Sequence, residues 1–169
     1  MELKNYIHDI PDFPKPWIIF KDISPLLWDA YAFKYCIDEL AKPLRGNVEV
    51  IVWLDARGFI FWSAVAYSLG LPFVMIRKPG KLPGATIDFE YDLEYGSNTL
   101  ALQTNTIKKD QKVAIVDDVL ATWWTTKAAI YLIEQLWGKV EQVRFLMSLS
   151  FLPWEQVLSG YNISSLIKY

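Results

Sequence analysis

The segment from Val113 to Thr126, V-A-I-V-D-D-V-L-A-T-W-W-T-T, restricts the possible folds of this chain more than any other stretch. A short apolar run ends in the adjacent carboxylates of Asp117 and Asp118, and a hydroxyl-rich turn leads into an apolar-periodic segment from Lys127 to Trp137. This order predicts a strand, a loop and a helix. Because ligands of open α/β sheets bind outside the carboxyl ends of the strands, we expect the two aspartates to lie where a polar ligand binds.

The beginning of the predicted helix has the features of a phosphate site. Backbone N–H groups and the hydroxyls of Thr122, Thr125 and Thr126 would lie at the helix N-terminus, which favours an anion. A simpler interpretation is a buried strand followed by a helix with Thr125 as its N-cap. The paired carboxylates favour a ligand site, because they repel each other unless a diol, a metal or another partner compensates their charge.

A second predicted strand, from Val48 to Leu54, also ends beside charged residues. The sequence continues as D-A-R-G-F, which places the guanidinium of Arg57 and a flexible turn at the same edge of the sheet. A surface arginine paired with Asp55 is the alternative interpretation.

A basic loop follows the third predicted strand, from Pro72 to Ile76. Its sequence, R-K-P-G-K-L-P-G, has three cations, two glycines and two prolines in eight residues, so it cannot form regular structure. A solvated charge run is the usual meaning of such a stretch. Because the loop would leave the same sheet edge as Asp117, we expect Arg77 and Lys81 to contact a polyphosphate.

Predicted strands alternate with predicted helices along the chain. Apolar spacing predicts helices over Ala30–Ala41 and up to Leu69, and further strands over Val140–Ser150 and Ile163–Ile167. This alternation predicts an α/β fold, with a mostly parallel central sheet flanked by helices. A chain of 169 residues, of which 53% are hydrophobic, fits a single domain over residues 1–169.

Two segments do not follow this alternation. Residues 1–28 are interrupted by prolines and carry an apolar patch, W-I-I-F-K-D-I-S-P-L-L, which predicts a short strand or a lid before a turn at Ser24-Pro25. Residues 85–103 alternate in places and have a turn signal at Gly96-Ser97-Asn98, which predicts a hairpin. Because an acidic hairpin is weakly self-supporting, we expect a flexible flap that closes during a reaction.

Composition argues against several classes of protein. Basic and acidic residues nearly balance, at 17 and 19, which does not indicate a nucleic-acid or membrane-surface partner. No apolar run approaches the roughly 20 residues of a membrane helix. The single cysteine, Cys36, excludes an internal disulfide and suits a reducing cytoplasm, and the single histidine, His8, has no companions for a metal cage.

Four separately placed motifs, which occur in the right order along the chain, resemble one family. V-D-D-V-L-A-T-x-x-T resembles the phosphoribosyl-diphosphate (PRPP) loop of type I phosphoribosyltransferases, and D-A-R-G-F resembles their diphosphate loop. F-P-K-P-x-I-I-F-K-D-I-S-P-L-L and L-E-Y-G are similar to the N-terminal hood and the flexible loop of adenine phosphoribosyltransferases. The resemblance implies the type I fold, with a hood over residues 1–28 and a flap over 85–103. It also implies a cytoplasmic homodimer that converts adenine and PRPP to AMP and pyrophosphate in purine salvage.

The resemblance implies a role for each site residue. Arg57 would meet the leaving diphosphate, and the other residues that contact PRPP would be Asp117, Asp118, Ala121, Thr122, Trp123, Trp124, Thr125, Arg77 and Lys81. Mg²⁺ would be the cofactor, held mainly through PRPP rather than directly by protein ligands.

The hood and the flap would hold the base. By resemblance, Phe20 would stack on adenine, the backbones of Ile19 and Lys21 would read its edge, and Leu152 would pack on its other face. Glu94 in the flap would manage the proton at the base, so that Glu94 and Arg57 are the expected catalytic residues.

Tryptophan occupies positions where the resemblance leads us to expect glycine: 17, 53, 62, 123, 124, 137 and 154. Glycine reaches positive φ and lets a ligand approach closely, whereas an indole in a packed site has a cost. At Trp123 and Trp124 the indoles would fill the PRPP cradle. Three explanations stay open: an engineered or degenerate variant, an error in the recorded sequence, or a loop rebuilt to carry the indoles outward.

Two main hypotheses about function follow. The first is an active adenine phosphoribosyltransferase. The second is a catalytically impaired relative that binds a purine, a nucleotide or a partner chain, because Trp123 and Trp124 block the PRPP loop. Transfer to a different base is a third, and the hood and L-E-Y-G motifs argue for adenine instead.

Overall fold

The computed structural model describes residues 1–54, 58–92, 97–120, 123–149 and 158–169. After a short 3-10 helix over Leu3–Tyr6, the strands are β1 (His8–Ile10), β2 (Phe20–Asp22), β3 (Val50–Leu54), β4 (Phe73–Arg77), β5 (Thr86–Asp92), β6 (Ser97–Gln103), β7 (Lys112–Leu120), β8 (Lys139–Ser148) and β9 (Ile163–Lys168). The α-helices are α1 (Ser24–Trp28), α2 (Ala30–Ala41), α3 (Phe59–Leu69) and α4 (Trp123–Gln135).

The central sheet has the strand order β5-β6-β4-β3-β7-β8-β9. Its pairs β3–β4, β3–β7, β7–β8 and β8–β9 are parallel, whereas β6 pairs antiparallel with both β4 and β5. The predicted α/β class with a mostly parallel sheet is therefore confirmed. The two strands of the predicted hairpin, β5 and β6, also pair antiparallel, at one edge of this sheet.

Helices cover both faces of the sheet, which explains the nearly continuous apolar runs of its strands. In β3, Ile51 and Trp53 belong to the core on the side of α2 and α3, while Val50 and Val52 belong to the core on the side of α4. A strand with only one buried face would instead alternate apolar and polar residues.

Two of the unexpected tryptophans are core residues. Trp53 and Trp62 are 1% and 0% exposed, and both pack in the core on the side of α2 and α3. The Trp62 ring fills the space beside Gly58 that a Cβ would occupy, and its buried Nε1 has no hydrogen-bond partner among the described residues. The fold thus accommodates these indoles, although a buried unpaired N–H costs on the order of 1–3 kcal/mol.

Three local differences from the sequence predictions have simple physical reasons. The turn expected at Ser24-Pro25 is the start of α1, because proline is compatible with the first turn of a helix. β7 continues past the aspartates to Leu120, because β8 offers Ser148 as the pairing partner of that residue. β6 begins at Ser97, so Ser97 and Asn98, which were expected in a turn, are strand residues, and Gly96 lies outside the described ranges.

No helix in the described part of the chain is both long enough and apolar enough to cross a membrane.

Candidate active site

The parallel strands bring their carboxyl ends to one edge of the sheet, which we call the carboxyl edge. The register pairs Val52 with Ile115 and Leu54 with Ile76. Counting two residues on from Ile115 places Asp117 level with Leu54 and Ile76. Because neighbouring strands lie about 4.8 Å apart, about 10 Å separates Asp117 from the end of β4. That gap is of the size that a phosphorylated sugar can bridge.

The paired aspartates lie near the end of β7. Asp118 is buried at 7% exposure and Asp117 is half-buried. The backbone N–H of Asp118 donates to Oδ1 of Asp117 at 2.9 Å, which fixes the first carboxylate against the backbone of the second. Two adjacent carboxylates concentrate negative charge at this point, so hydroxyl donors or a cation would bind here favourably.

Helix α4 begins at Trp123, which is earlier than the sequence predicted. Thr125 therefore lies in the first turn and is not the N-cap, and its Oγ1 is 3.3 Å from the hydroxyl of Tyr91 on β5. Tryptophan adopts helical φ and ψ more readily than glycine, by about half a kcal/mol, which favours the early start. The hydroxyl of Thr125 thus remains at the helix N-terminus, where an anion would be stabilised.

Trp123 and Trp124 stack on each other in this first turn. Their ring centroids are 3.6 Å apart at an interplanar angle of 30°, and Lys127 Nζ lies 5.8 Å from the centroid of Trp123. Trp124 also lines a cavity of about 280 Å³ together with Phe89, Tyr91 and other residues of β5 and α4. Trp124 is therefore directed at least partly toward β5.

The basic loop leaves the carboxyl edge at the end of β4. Arg77 is the last residue of β4 and pairs with Ala101 across the antiparallel boundary. Lys81 is exposed and donates its backbone N–H to the carbonyl of Lys78 in a turn. Gly80 has a φ of +75°, which a residue with a Cβ would adopt only with strain. The loop thus presents its cations at the end of β4, the strand next to β3.

The expected hood forms a separate two-stranded sheet in which Asp9 of β1 pairs with Lys21 of β2. Ile19 is 59% exposed, while Phe20 and Lys21 are half-buried. The Phe20 ring packs edge to face on Phe13, with centroids 5.1 Å apart. Ile19 is thus exposed beside an aromatic pair, and the roles of Ile19, Phe20 and Lys21 toward adenine stay predictions.

Several expected site residues lie outside the described ranges. They are Arg57, with its alternative partner Asp55, Glu94, Ala121, Thr122 and Leu152. Their roles stay predictions. Trp154, one of the positions where glycine was expected, also lies there.

Two further residues near the carboxyl edge were not anticipated from the sequence. Tyr91 contacts Thr125 through its hydroxyl, and the ring of Tyr169 lies 3.7 Å from Lys21 Nζ. The alternation of T-I-D-F-E-Y-D places Phe89 and Tyr91 on one face of β5, so this signal for Tyr91 was available. No local pattern marks Tyr169, because its contact with Lys21 depends on how the hood folds back.

Comparisons with known proteins agree with this geometry. Residues 29–149 match the family model of the phosphoribosyl transferase domain. The adenine phosphoribosyltransferase of Thermoanaerobacter sp. (strain X514) is 49% identical over 99% of this chain and 98% of that protein. The crystal structure of adenine phosphoribosyltransferase from Thermoanaerobacter pseudethanolicus superposes with a TM-score of 0.95, at 49% identity, over 99% of this chain and 98% of that one. The Saccharomyces cerevisiae enzyme, complexed with an imino-altritol bisphosphate and adenine, gives a TM-score of 0.90 at 36% identity, over 98% and 96% of the two chains.

Proposed function

The chain belongs to the adenine phosphoribosyltransferase family, and we propose that it transfers the ribose 5-phosphate group of PRPP to adenine, giving AMP and pyrophosphate. One observation carries this proposal: the Asp117–Asp118 pair and the basic loop after Arg77 lie on the same edge of the sheet, with about 10 Å between Asp117 and the end of β4. A sugar that bears phosphates needs groups of both kinds at this separation.

The chemistry assigns different tasks to the two sides of the site. Substitution at the anomeric carbon passes through an oxocarbenium-like state, with positive charge on the sugar and growing negative charge on the departing diphosphate. Asp117 and Asp118 would accept hydrogen bonds from the ribose hydroxyls and stabilise the positive charge. Arg77, Lys81 and Arg57 would stabilise the diphosphate.

The 5-phosphate would bind where β7 leads into α4. The proposed cradle comprises Ala121, Thr122, Trp123, Trp124 and Thr125. It is supported by the position of Thr125 in the first helical turn, because the free N–H groups of that turn favour an anion.

Adenine would bind between the hood and the carboxyl edge. Phe20 would stack on the ring, the backbones of Ile19 and Lys21 would read its edge, and Leu152 would close the other face. Glu94 would hold the proton at the base as the new glycosidic bond forms. The antiparallel β5–β6 pair supports a flap at this place, because residues 93–96 join its two strands.

We propose Mg²⁺ as the cofactor, held mainly through the phosphate oxygens of PRPP rather than directly by protein ligands. Bound Mg²⁺ would neutralise charge on the diphosphate.

We also propose that the chain acts in the cytoplasm as a homodimer. Support comes from large apolar side chains that stay exposed on the helices and on β4: Tyr31 is 82%, Tyr67 90% and Phe73 50% exposed. Apolar surface of this kind is commonly covered by a second copy in an isologous interface. Light scattering coupled to size exclusion would show a mass of two chains, and a single-chain mass would contradict the proposal.

The direct test of the proposed reaction is AMP formation from PRPP and a panel of bases. We expect product with adenine and Mg²⁺ and little product with hypoxanthine or guanine. Lys81→Ala should raise the KM for PRPP several-fold, because one phosphate contact is lost. Lys109→Ala is the matched control, since this exposed lysine precedes β7 at the opposite edge. Equal effects of the two substitutions would refute the assigned role of the basic loop.

A second candidate function rests on the stacked indoles of Trp123 and Trp124. If they fill the cradle, the chain would bind a purine or AMP through its hood but not PRPP. Calorimetry separates the two candidates: an active site binds both PRPP and AMP with a dependence on Mg²⁺, whereas a blocked cradle loses PRPP first.

A further inference from the structure

The hood must be fixed over the carboxyl edge by contacts outside its own strands. β1 and β2 form a separate two-stranded sheet of three residues per strand. Such a small sheet is at best marginally stable by itself. Ile7, just before β1, and Ile23, just after β2, are buried in the core, so a polar side chain that adds a further link to the central sheet is of functional interest.

Lys21 of β2 makes this link. Its Nζ lies 2.7 and 2.8 Å from the two carboxylate oxygens of Asp9 on β1, and 3.7 Å from the ring centroid of Tyr169. The side chain is only 13% exposed, so the ammonium is largely removed from water. A cation held this close to an aromatic face and shielded from water is bound more strongly than one at the surface.

Tyr169 is in turn fixed to the central sheet. Its backbone N–H donates to the carbonyl of Ser148, at the end of β8, at 3.0 Å. The hydroxyls of Ser148 and Ser165 lie 2.8 Å apart and join β8 to β9 beside it. The aromatic ring is thus attached to the carboxyl edge, on which the hood must be aligned.

Burial and then the nearby carboxylates of Asp9 and Glu2 raise the pKa of the Tyr169 hydroxyl. The ring therefore stays neutral and keeps its electron-rich face toward the ammonium.

We propose that Tyr169 is a positioning residue for the base: by holding the side chain of Lys21, it sets the distance between the β2 backbone, with Phe20, and the carboxyl edge. This inference rests on the proposed function, because that function assigns Phe20 and Lys21 to adenine. Tyr169 itself contacts neither substrate. Its effect on catalysis passes through the hood.

The test compares variants that remove the ring, the charge or only the hydroxyl. Tyr169→Leu and Lys21→Met should each raise the KM for adenine about tenfold, with kcat and the KM for PRPP within about twofold of the parent. Tyr169→Phe keeps the aromatic face and should restore the adenine KM. The double variant Tyr169→Leu with Lys21→Met should be no worse than Lys21→Met alone, because the ring is proposed to act through Lys21.

Lys4→Met is the matched control. Lys4 Nζ lies 5.1 Å from the same ring but belongs to the 3-10 helix and not to β1 or β2, so the adenine KM should not change. A Tyr169→Leu variant with the same KM for adenine as Tyr169→Phe would overturn the proposal. A rise in the KM values of both substrates, or additive effects in the double variant, would also overturn it.

Hydrogen exchange measures how firmly Tyr169 holds β1 and β2, independently of whether the protein forms AMP. In Tyr169→Leu, the peptide spanning residues 8–22 should exchange faster than in Tyr169→Phe, while a peptide from β7 should be unchanged. If the parent chain forms no AMP, the proposed function fails, and the exchange rates still decide whether Tyr169 holds the hood. Unchanged exchange in the hood peptide would refute the anchor.

Discussion

Replacing Trp137 by glycine should make the protein more stable, which is an unusual result for a large-to-small substitution. Helix α4 ends with the N–H of Gly138 bonded to the carbonyl of Ile133 at 3.0 Å, and the N–H of Trp137 bonded to the carbonyl of Glu134 at 2.9 Å. This is the Schellman pattern, in which the residue at the position of Trp137 adopts left-handed φ and is usually glycine. Trp137 has a φ of +63°.

The end of α3 shows the same pattern with the expected residue. There the N–H of Leu71 bonds to the carbonyl of Ala66, Gly70 bonds to Tyr67, and Gly70 has a φ of +65°. Two helices of one chain thus end alike, one with glycine and one with tryptophan at the left-handed position.

The magnitude follows from three contributions. Left-handed backbone costs a residue with a Cβ about 1–2 kcal/mol. Glycine also increases the conformational freedom of the unfolded chain, which reduces the gain in stability by about 0.5–1 kcal/mol. The indole of Trp137 is 71% exposed, so its removal forfeits little burial. We expect Trp137→Gly to raise the free energy of unfolding by about 0.5–1 kcal/mol and Tm by about 1–4 °C.

Thermal and urea unfolding would measure this effect against two controls. Trp28→Gly removes a tryptophan that is 92% exposed but lies in the helix α1, so it should not raise the free energy of unfolding. Gly70→Trp should destabilise by about 1 kcal/mol, although no atom lies within 4 Å of its Cβ position. A Trp137→Gly variant that is less stable than the parent would refute the backbone argument.

Four further predictions concern the site, the core and the tryptophans. Trp123→Gly with Trp124→Gly should increase AMP formation if the parent is weak, and equal rates would count against a blocked cradle. Asp118→Asn should lower kcat/KM about 10- to 100-fold, as expected for loss of a charged hydrogen bond to ribose, while unchanged kcat/KM would remove Asp118 from the site. Burial raises the pKa of the Cys36 thiol from 9.0 to about 12, so the thiol of the native protein should resist alkylation at pH 8. The free energy of unfolding should fall between pH 9 and 12, because the thiol of the unfolded chain loses its proton first. Cys36→Ala should reduce that fall, and an unaltered pH profile would contradict the assignment. Finally, the left-handed backbone at positions 17 and 137 leads us to expect glycine at both positions in protein purified from its source. This would follow if a codon recorded as tryptophan is read as glycine. Peptides that span these positions and contain tryptophan, detected by mass mapping, would contradict this.

The sequence was most informative about the parallel sheet. Helix α2 has the predicted bounds, and apolar runs that end in charge located β3 and β4 within two residues and the start of β7 within one. These features are local, because burial on both faces requires uninterrupted apolar strands. The position of Asp117, Asp118 and Arg77 on one edge then follows from parallel pairing.

Features that depend on distant contacts were less predictable. Nothing near Tyr169 in the chain indicates that its ring faces Lys21, because that contact forms only when the hood folds onto the end of β8. The position of Trp124 against Phe89 and Tyr91 of β5 likewise depends on a contact between distant parts of the chain. Side-chain contacts across long sequence separations were therefore the part that the sequence left open.

We propose that the carboxyl edge of the sheet binds PRPP through Asp117, Asp118 and the basic loop. Titration calorimetry with PRPP and Mg²⁺ would measure this binding for the parent chain and for the Trp123→Gly/Trp124→Gly variant. Asp118→Asn would then be introduced into whichever of the two binds PRPP. We predict saturable, Mg²⁺-dependent binding by at least the glycine variant, weakened about 10- to 100-fold by Asp118→Asn. Absence of binding by both the parent and the glycine variant, or binding unaffected by Asp118→Asn, would contradict the claim.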